Sequence, residues 1–325
     1  MKFSNFIEQF SSKINMAKDI LIYPHISADG DALGTTVALK KYLTKKNINA
    51  KIIIEEQIPK TYKFMCDEDD FLMYDVTKSY KAKLHIAVDT GDINRLGKRK
   101  KIFIGETINI DHHKTNTKFA RLNYVDASAS SAGEIIYKII KSLNGDIDKK
   151  IAEAIYVSIA TDTGGFRFSN TNENCFKIAS ELLKYDINIS SLSKKVFDTN
   201  SKEKTLLMGK TIEKLQFFFE DRVAITTFKK DEYLNINANE EMFDGIIQIP
   251  RNIENVVVAA VIRESINGQI KVNLRSNSDE ADVSKIAFNN DGGGHKRAAG
   301  YTSPYDSIEE TQSNLLKDIK EQLKK

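Results

Sequence analysis

The first half of the chain is punctuated by short, mostly apolar runs, and each stops at a titratable side chain. Ile20-Leu21-Ile22-Tyr23-Pro24 stops at His25, Leu84-His85-Ile86-Ala87-Val88 at Asp89, and Ile108-Asn109-Ile110 at Asp111. Runs of this length, rich in branched residues, read as strands. Between them the period changes. Phe3, Phe6, Ile7, Phe10 and Ile14 predict a helix over 3–17, and further helices are expected at about 31–46, 132–143, 148–161 and 172–184. Ser131 and Glu134 have capping-box spacing before the second of these, and Asn144-Gly145 marks its stop. Strands are expected at 19–24, 50–54, 84–88, 102–104 and 108–110. Strands alternating with helices predict an α/β domain on a doubly wound parallel sheet, where ligands bind outside the carboxyl ends of the strands.

The pattern changes in the second half. A polar, mostly helical connector is expected at 188–215, dividing a first domain (1–187) from a smaller one (216–325). The smaller domain has Val- and Ile-rich strands at about 222–228, 256–263 and 269–275, with a helix near 239–247. They predict a mixed-sheet α/β unit. A glycine-rich stretch, Gly292-Gly293-Gly294-His295-Lys296-Arg297, and a last helix starting near Ser307 and Glu310 complete it.

Composition adds bounds. The 325 residues are enough for two cores. The longest apolar run, Val256 to Ile262, is too short to span a bilayer, and the start of the chain is too polar for a signal peptide. Cys66 and Cys175 have neither metal-site nor disulfide spacing, so a reducing, cytoplasmic setting without membrane contact is expected. A formal net charge of +3 argues against a protein that coats long nucleic acid and is compatible with a short anionic substrate.

The candidate chemistry gathers at the predicted ends of strands and helices: His25, Asp29, Asp31, Asp89, His112 and Asp162. The first three are spaced H-x-x-x-D-x-D, which lets one tight loop aim three ligands at one point. Singly, Asp31 reads as a helix cap, Asp89 and Asp162 as turn residues, and His112-His113 as structural. Jointly, carboxylates and imidazoles suit a pair of divalent first-row cations such as manganese. Such a pair, about 3.5–4 Å apart, can activate water and clamp a phosphoryl group. His85 is read as a strand residue that could support the site from behind, and Asp67–Asp70 as a solvated turn.

These segments resemble the DHH/DHHA1 phosphoesterases, named for a triplet seen here as Asp111-His112-His113. The match covers HISADGDALG (25–34), AVDTGD (87–92), NIDHHKTNTKF (109–119), NYVDASASSAGEI (123–135), ATDTGGFRFSNT (160–171) and GGGHKRAAG (292–300). The nearest likeness is to the branch that degrades short oligoribonucleotides (nanoRNA) and dephosphorylates 3′-phosphoadenosine 5′-phosphate (pAp). The resemblance implies two Mn²⁺ per chain, with Mg²⁺ or Co²⁺ as substitutes. One would be held by His25, Asp29 and Asp89, and the other by Asp31, Asp89, His112 and Asp162, with Asp89 bridging. Asp111 would orient the neighbouring imidazole, His113 would face the scissile phosphate, and a two-metal-activated hydroxide would attack phosphorus.

In the second domain the resemblance implies a substrate grip from Arg263, Arg275, Ser276, Gly292, Gly293, Gly294 and His295. The two arginines would fork onto phosphate, in a cleft between the domains with 188–215 as hinge. Asp291 stands where related sequences usually carry another glycine. Short RNA fragments or small nucleotides are the expected partners, long duplexes are not, and a homodimer is compatible. Hydrolysis of cyclic di-AMP or pApA is the close alternative. A manganese pyrophosphatase and a catalytically silent nucleotide-binding module are more distant ones.

Overall fold

The computed structural model describes residues 1–323, in two compact units that divide between Thr199 and Asn200. The division falls inside the expected connector. Residues 188–199 stay with the first unit, where Leu192 is buried in its core, whereas Leu207 joins a core of the second.

The first unit is built on six strands: β1 (Asp19–Tyr23), β2 (Asn49–Ile54), β3 (Phe71–Met73), β4 (Leu84–Val88), β5 (Thr107–Asp111) and β6 (Leu122–Val125). All pairings are parallel, in the order β3-β2-β1-β4-β5-β6. The chain direction across the sheet therefore reverses between β1 and β4, as the doubly wound pattern requires. Alternate residues serve two cores. Ile20, Ile22, Ile86 and Val88 meet a helical layer, while Leu21, Tyr23 and Ala87 meet Leu96 and Phe103 on the opposite face. The helices are α1 (Phe3–Met16), α2 (Gly30–Lys45), α3 (Ala132–Ser142), α4 (Lys149–Asp162), α5 (Glu173–Leu182) and the short α6 (Ile189–Ser193). Phe6, Phe10 and Ile14, at helical spacing, bury one stripe of α1. α2 and α4 approach closely because Gly34 has no side chain: a Cβ there would lie 2.5 Å from the Ala154 carbonyl oxygen.

Three expectations for the first unit are corrected. Residues 102–104 are not a strand. They follow a 3₁₀ segment, with Phe103 packed on the sheet face before a turn at Gly105 (φ 80°). The Asp67–Asp70 cluster is not simply solvated. Asp70 is buried and ion-paired to Lys40 and Lys41, and Asp67 is paired to Lys41 and Lys150. His85 supports no ligand: its Nδ1 lies 2.6 Å from the Tyr23 hydroxyl, among aromatic rings on the opposite face.

The second unit has strands β7 (Gln216–Phe218), β8 (Val223–Phe228), β9 (Val258–Glu264), β10 (Ile270–Ser276), β11 (Gly293–His295) and β12 (Ala298–Thr302). They form a mixed sheet in the order β11-β12-β10-β9-β8-β7, with only β8 and β9 parallel. Its helices are α7 (Lys202–Glu213), α8 (Lys230–Leu234), α9 (Gln248–Arg251), α10 (Val283–Asn289) and α11 (Ile308–Leu323). The expected helix at 239–247 is only a 3₁₀ turn, Glu240–Phe243, capped by Asn239. Among the described residues no helix is long and apolar enough to cross a membrane.

Candidate metal centre

The six collected residues meet at the carboxyl ends of β1, β4 and β5, beside the reversal point of the sheet. His25 follows β1. Asp89 follows β4 in a left-handed conformation (φ 53°), which an Asp tolerates better than most residues. His112 and His113 follow β5, Asp29 and Asp31 start α2, and Asp162 ends α4. Three groupings could each hold a cation: His25, Asp29 and Asp89; Asp31, His112 and Asp162; and Asp89, His112 and His113.

Asp89 joins them. Its Oδ2 lies 3.7 Å from His25 Nε2, and its Oδ1 lies 3.5 Å from His112 Nε2 and 3.7 Å from His113 Nδ1. Oδ1 is buried with no hydrogen-bond partner, a costly state for a carboxylate oxygen in the absence of a counter-charge. The neighbours agree. His112 Nε2 is 3.7 Å from Asp31 Oδ2 and 3.6 Å from Asp162 Oδ2, and His25 Nε2 is 3.8 Å from Asp29 Oδ1. The donor set, hard oxygens with imidazole nitrogens around one orphaned oxygen, fits divalent cations.

Electrostatics points the same way. Burial pushes the Asp31 carboxyl well above its ordinary range, and the charges of Asp89 and Asp162 push it further. Burial likewise pushes Asp162 up to about 6. For His112 burial opposes the cation, but Asp89, Asp31 and Asp162 overcome it and push the imidazole up to about 10. A site that holds protons this tightly is short of positive charge.

The cap expected at Asp31 belongs to Asp29, whose Oδ1 accepts from the backbone N–H groups of Asp31 and Ala32, both at 3.1 Å. Asp31 has another task. It accepts from the N–H of Ala132 at 2.8 Å and of Gly133 at 3.2 Å, at the start of α3, and from the Ser158 hydroxyl on α4. A carboxylate at a helix N-terminus is favoured by the unpaired N–H groups there. Asp111 is fully buried and bonds His113 Nδ1 at 2.7 Å, so it orients the second histidine of the triplet rather than His112. His113 is 47 % exposed, in contrast to the Asp111 carboxylate it meets. The Asp111 bond, more than any other influence, raises the His113 pKa.

Three supporting residues escaped the sequence reading. Asn116 donates to Asp111 Oδ2 at 2.5 Å and to Asn109 Oδ1 at 2.8 Å. Asn170 donates to Asp162 Oδ2 at 3.2 Å, and Ser158 holds Asp31. Ser158 carried a signal, since it lies four residues before Asp162 on one helix face.

The second unit departs from expectation at its arginines. β9 and β10 are antiparallel, with Arg263 opposite Lys271 and Arg275 opposite Ala259. The two arginines therefore stand four residues apart along the sheet, about 13 Å, rather than side by side. Arg263 pairs with Glu240 at 2.9 Å and covers the Phe243 ring. Ser276 is buried, and its hydroxyl donates to the Ser278 carbonyl at 2.8 Å. The glycine stretch is an edge strand rather than an open loop. Gly292 lies against Gly300 and Tyr301 and Gly294 (φ 142°) against Ala298 and Ala299, neither with room for a Cβ, whereas Gly293 faces open space and His295 is exposed beside it.

Residues 19–159 match the DHH family, N-terminal domain, and residues 221–325 match the DHHA1 domain. A probable bifunctional oligoribonuclease and PAP phosphatase NrnA of Streptococcus mutans is 30% identical over 94% of this chain and 97% of its own. The Thermus thermophilus protein of that name is 28% identical over 94% of this chain and 90% of its own. Among solved structures, an exopolyphosphatase-related protein from Bacteroides fragilis superposes with a TM-score of 0.91 at 28% identity, covering 99% of this chain and 98% of that one. The chain belongs to the DHH/DHHA1 family of phosphoesterases.

Proposed function

We propose that the protein is a Mn²⁺-dependent phosphoesterase that hydrolyses short oligoribonucleotides to mononucleotides and removes the 3′-phosphate of pAp. The observation that carries this reading is the two-sided Asp89 carboxylate, with one oxygen toward His25 and the other, orphaned, toward His112. The names of the relatives support the choice of substrates.

In this reading His25, Asp29 and Asp89 hold one cation, and Asp31, Asp89, His112 and Asp162 hold the other. Such cations supply Lewis acidity toward water and the phosphoryl oxygens. The protein supplies the rest. For Nε2 of His25 to ligate, Nδ1 must carry the proton and donate to the Ile26 carbonyl oxygen, 2.7 Å away. His113, held by Asp111, directs its other nitrogen outward and gives a proton to the leaving oxygen as the bond from water to phosphorus forms and the bond to the departing nucleotide breaks. Arg275, His295 and the open backbone at Gly293 bind substrate, with Gly292 and Gly294 seating that strand on β12, while Arg263 and Ser276 hold the unit together. With both cysteines free, we place the protein in the cytoplasm.

The test is a parallel assay of the full chain with Mn²⁺ on di- to pentaribonucleotides, pAp, pApA, cyclic di-AMP and pyrophosphate. Turnover of short RNA and pAp is expected. Hydrolysis confined to pyrophosphate or to cyclic di-AMP would overturn the reading, as would binding without turnover.

A further inference from the structure

The second unit has five arginines, and they divide into two kinds. Arg222 pairs with Glu280, Arg263 with Glu240 at 2.9 Å and Arg297 with Asp279 at 3.2 Å. Among the described residues Arg251 and Arg275 have no carboxylate partner of this kind. Each is instead held by neutral groups. Arg251 Nε donates to Asn277 Oδ1 at 3.0 Å and its Nη1 to Gln248 Oε1 at 3.2 Å, and Asn277 Nδ2 returns a bond to the Arg251 carbonyl at 2.6 Å. Arg275 Nη1 donates to the Leu274 carbonyl at 2.9 Å.

These two stand together. Along β10 the buried Val272, Leu274 and Ser276 alternate with Asn273, Arg275 and Asn277, so Arg275 and Asn277 emerge on the same face. Arg251 lies on Asn277 and thus beside Arg275. Burial lowers the Arg275 pKa, and the Arg251 charge lowers it further, against the weaker pull of Asp244. Two half-buried guanidiniums set side by side, Arg251 held by the Asn277 and Gln248 amides and Arg275 by the Leu274 carbonyl, repel each other, and an anion relieves that repulsion. Their forked donors match a phosphate's oxygens. A phosphomonoester carries close to two charges near neutral pH, whereas an internal phosphodiester carries one.

We propose that Arg251 is a specificity-determining residue, which joins Arg275 in a two-guanidinium site for a terminal phosphomonoester. The proposal rests on the phosphoesterase reading for its substrate class. It directs the enzyme toward nucleotides with a free terminal phosphate and away from fragments that lack one.

The experiment is calorimetric binding of 5′-AMP and of adenosine to the full chain, in Mn²⁺ buffer and in EDTA buffer, with thermal unfolding in parallel. AMP is expected to bind at least about tenfold more tightly than adenosine in both buffers. Arg251→Gln is expected to weaken AMP about tenfold, with adenosine binding and the unfolding midpoint unchanged, and Arg263→Gln to leave AMP binding as it is. Undiminished AMP affinity in Arg251→Gln would overturn the proposal. So would loss of the AMP preference on chelation, because the phosphate would then be held at the metal centre. If Arg251→Gln unfolds, Arg251→Lys carries the test, since it keeps the charge and loses the fork. About threefold weaker AMP binding is then expected, and an unchanged affinity overturns the site. A chain that turned over no substrate would sink the phosphoesterase reading and leave this binding result standing.

Discussion

The carboxylates of the first unit and the guanidiniums of the second handle charge in opposite ways. At the strand ends of the first unit, Asp31 and Asp89 are each 2 % exposed and crowd against further acids and imidazoles. No member of that set is satisfied alone, and the loss of any one changes the ionisation of the others. At the sheet end of the second unit the charges are half-buried or exposed, and most have a private partner. The first arrangement is all-or-none and suits bond breaking. The second is modular, and its parts can be changed one at a time.

The sharpest test of that contrast is Asp89→Asn. It halves the charge logic of both groupings, so kcat on pAp should fall about 1,000-fold or more, and the bound Mn²⁺ per chain, measured by atomic emission, should drop. Activity within tenfold of wild type would mean that the two halves of the cluster work independently. Next comes His113→Gln, which should lower kcat about 100-fold with Mn²⁺ content unchanged. A loss of metal instead would move His113 from proton donor to ligand.

A smaller effect separates the units by pH. Folding raises Asp162 from an ordinary 3.8 to about 6 and His112 from 6.5 to about 10. A group whose pKa rises on folding stabilises fully below its unfolded value and loses that contribution as pH climbs through its folded value. In EDTA, stability should therefore fall as pH rises from about 4 through 6, and further toward 10. Mn²⁺ favours the ionised carboxylates and should flatten the slope. The gap in unfolding midpoint between Mn²⁺ and EDTA should thus be wider at pH 8 than at pH 5, by roughly 5 °C. A gap that does not depend on pH would count against the cluster as the metal site. The smallest effect belongs to the second unit. Asp291 is left-handed (φ 57°), so Asp291→Gly should stabilise by under about 1 kcal/mol in chemical denaturation, with KM unchanged. A changed KM would mean that this corner contacts substrate.

What was legible in the chain follows from the same contrast. β1, β4 and β5 are buried on both faces, so their apolar runs announce them, and the residues that stop those runs form the cluster. β3 and β6 have three and four residues, too short to show a period. Ile102 and Phe103 mimic a strand because a loop packed on a sheet needs apolar residues as much as a strand does. The spacing of the arginines was not legible because neighbouring strands do not reveal their register: Arg263 and Arg275 end consecutive antiparallel strands and so sit four residues apart, with Arg263 paired to Glu240. The division of labour in the triplet also needed coordinates, since adjacent histidines leave a strand in different directions and only one could meet Asp111.

The anchorage of Asp31 bears on how the protein comes into being. Its carboxylate is gripped by Ala132 and Gly133 and by Ser158, 101, 102 and 127 residues away in sequence. None of those grips can exist in a growing or refolding chain until α2, α3 and α4 have docked. Secondary structure and collapse can both be complete while this carboxylate still swings free. Recovery of activity after denaturation would then trail recovery of helical signal, and catalysis would serve as the clock for the last packing event of the first unit.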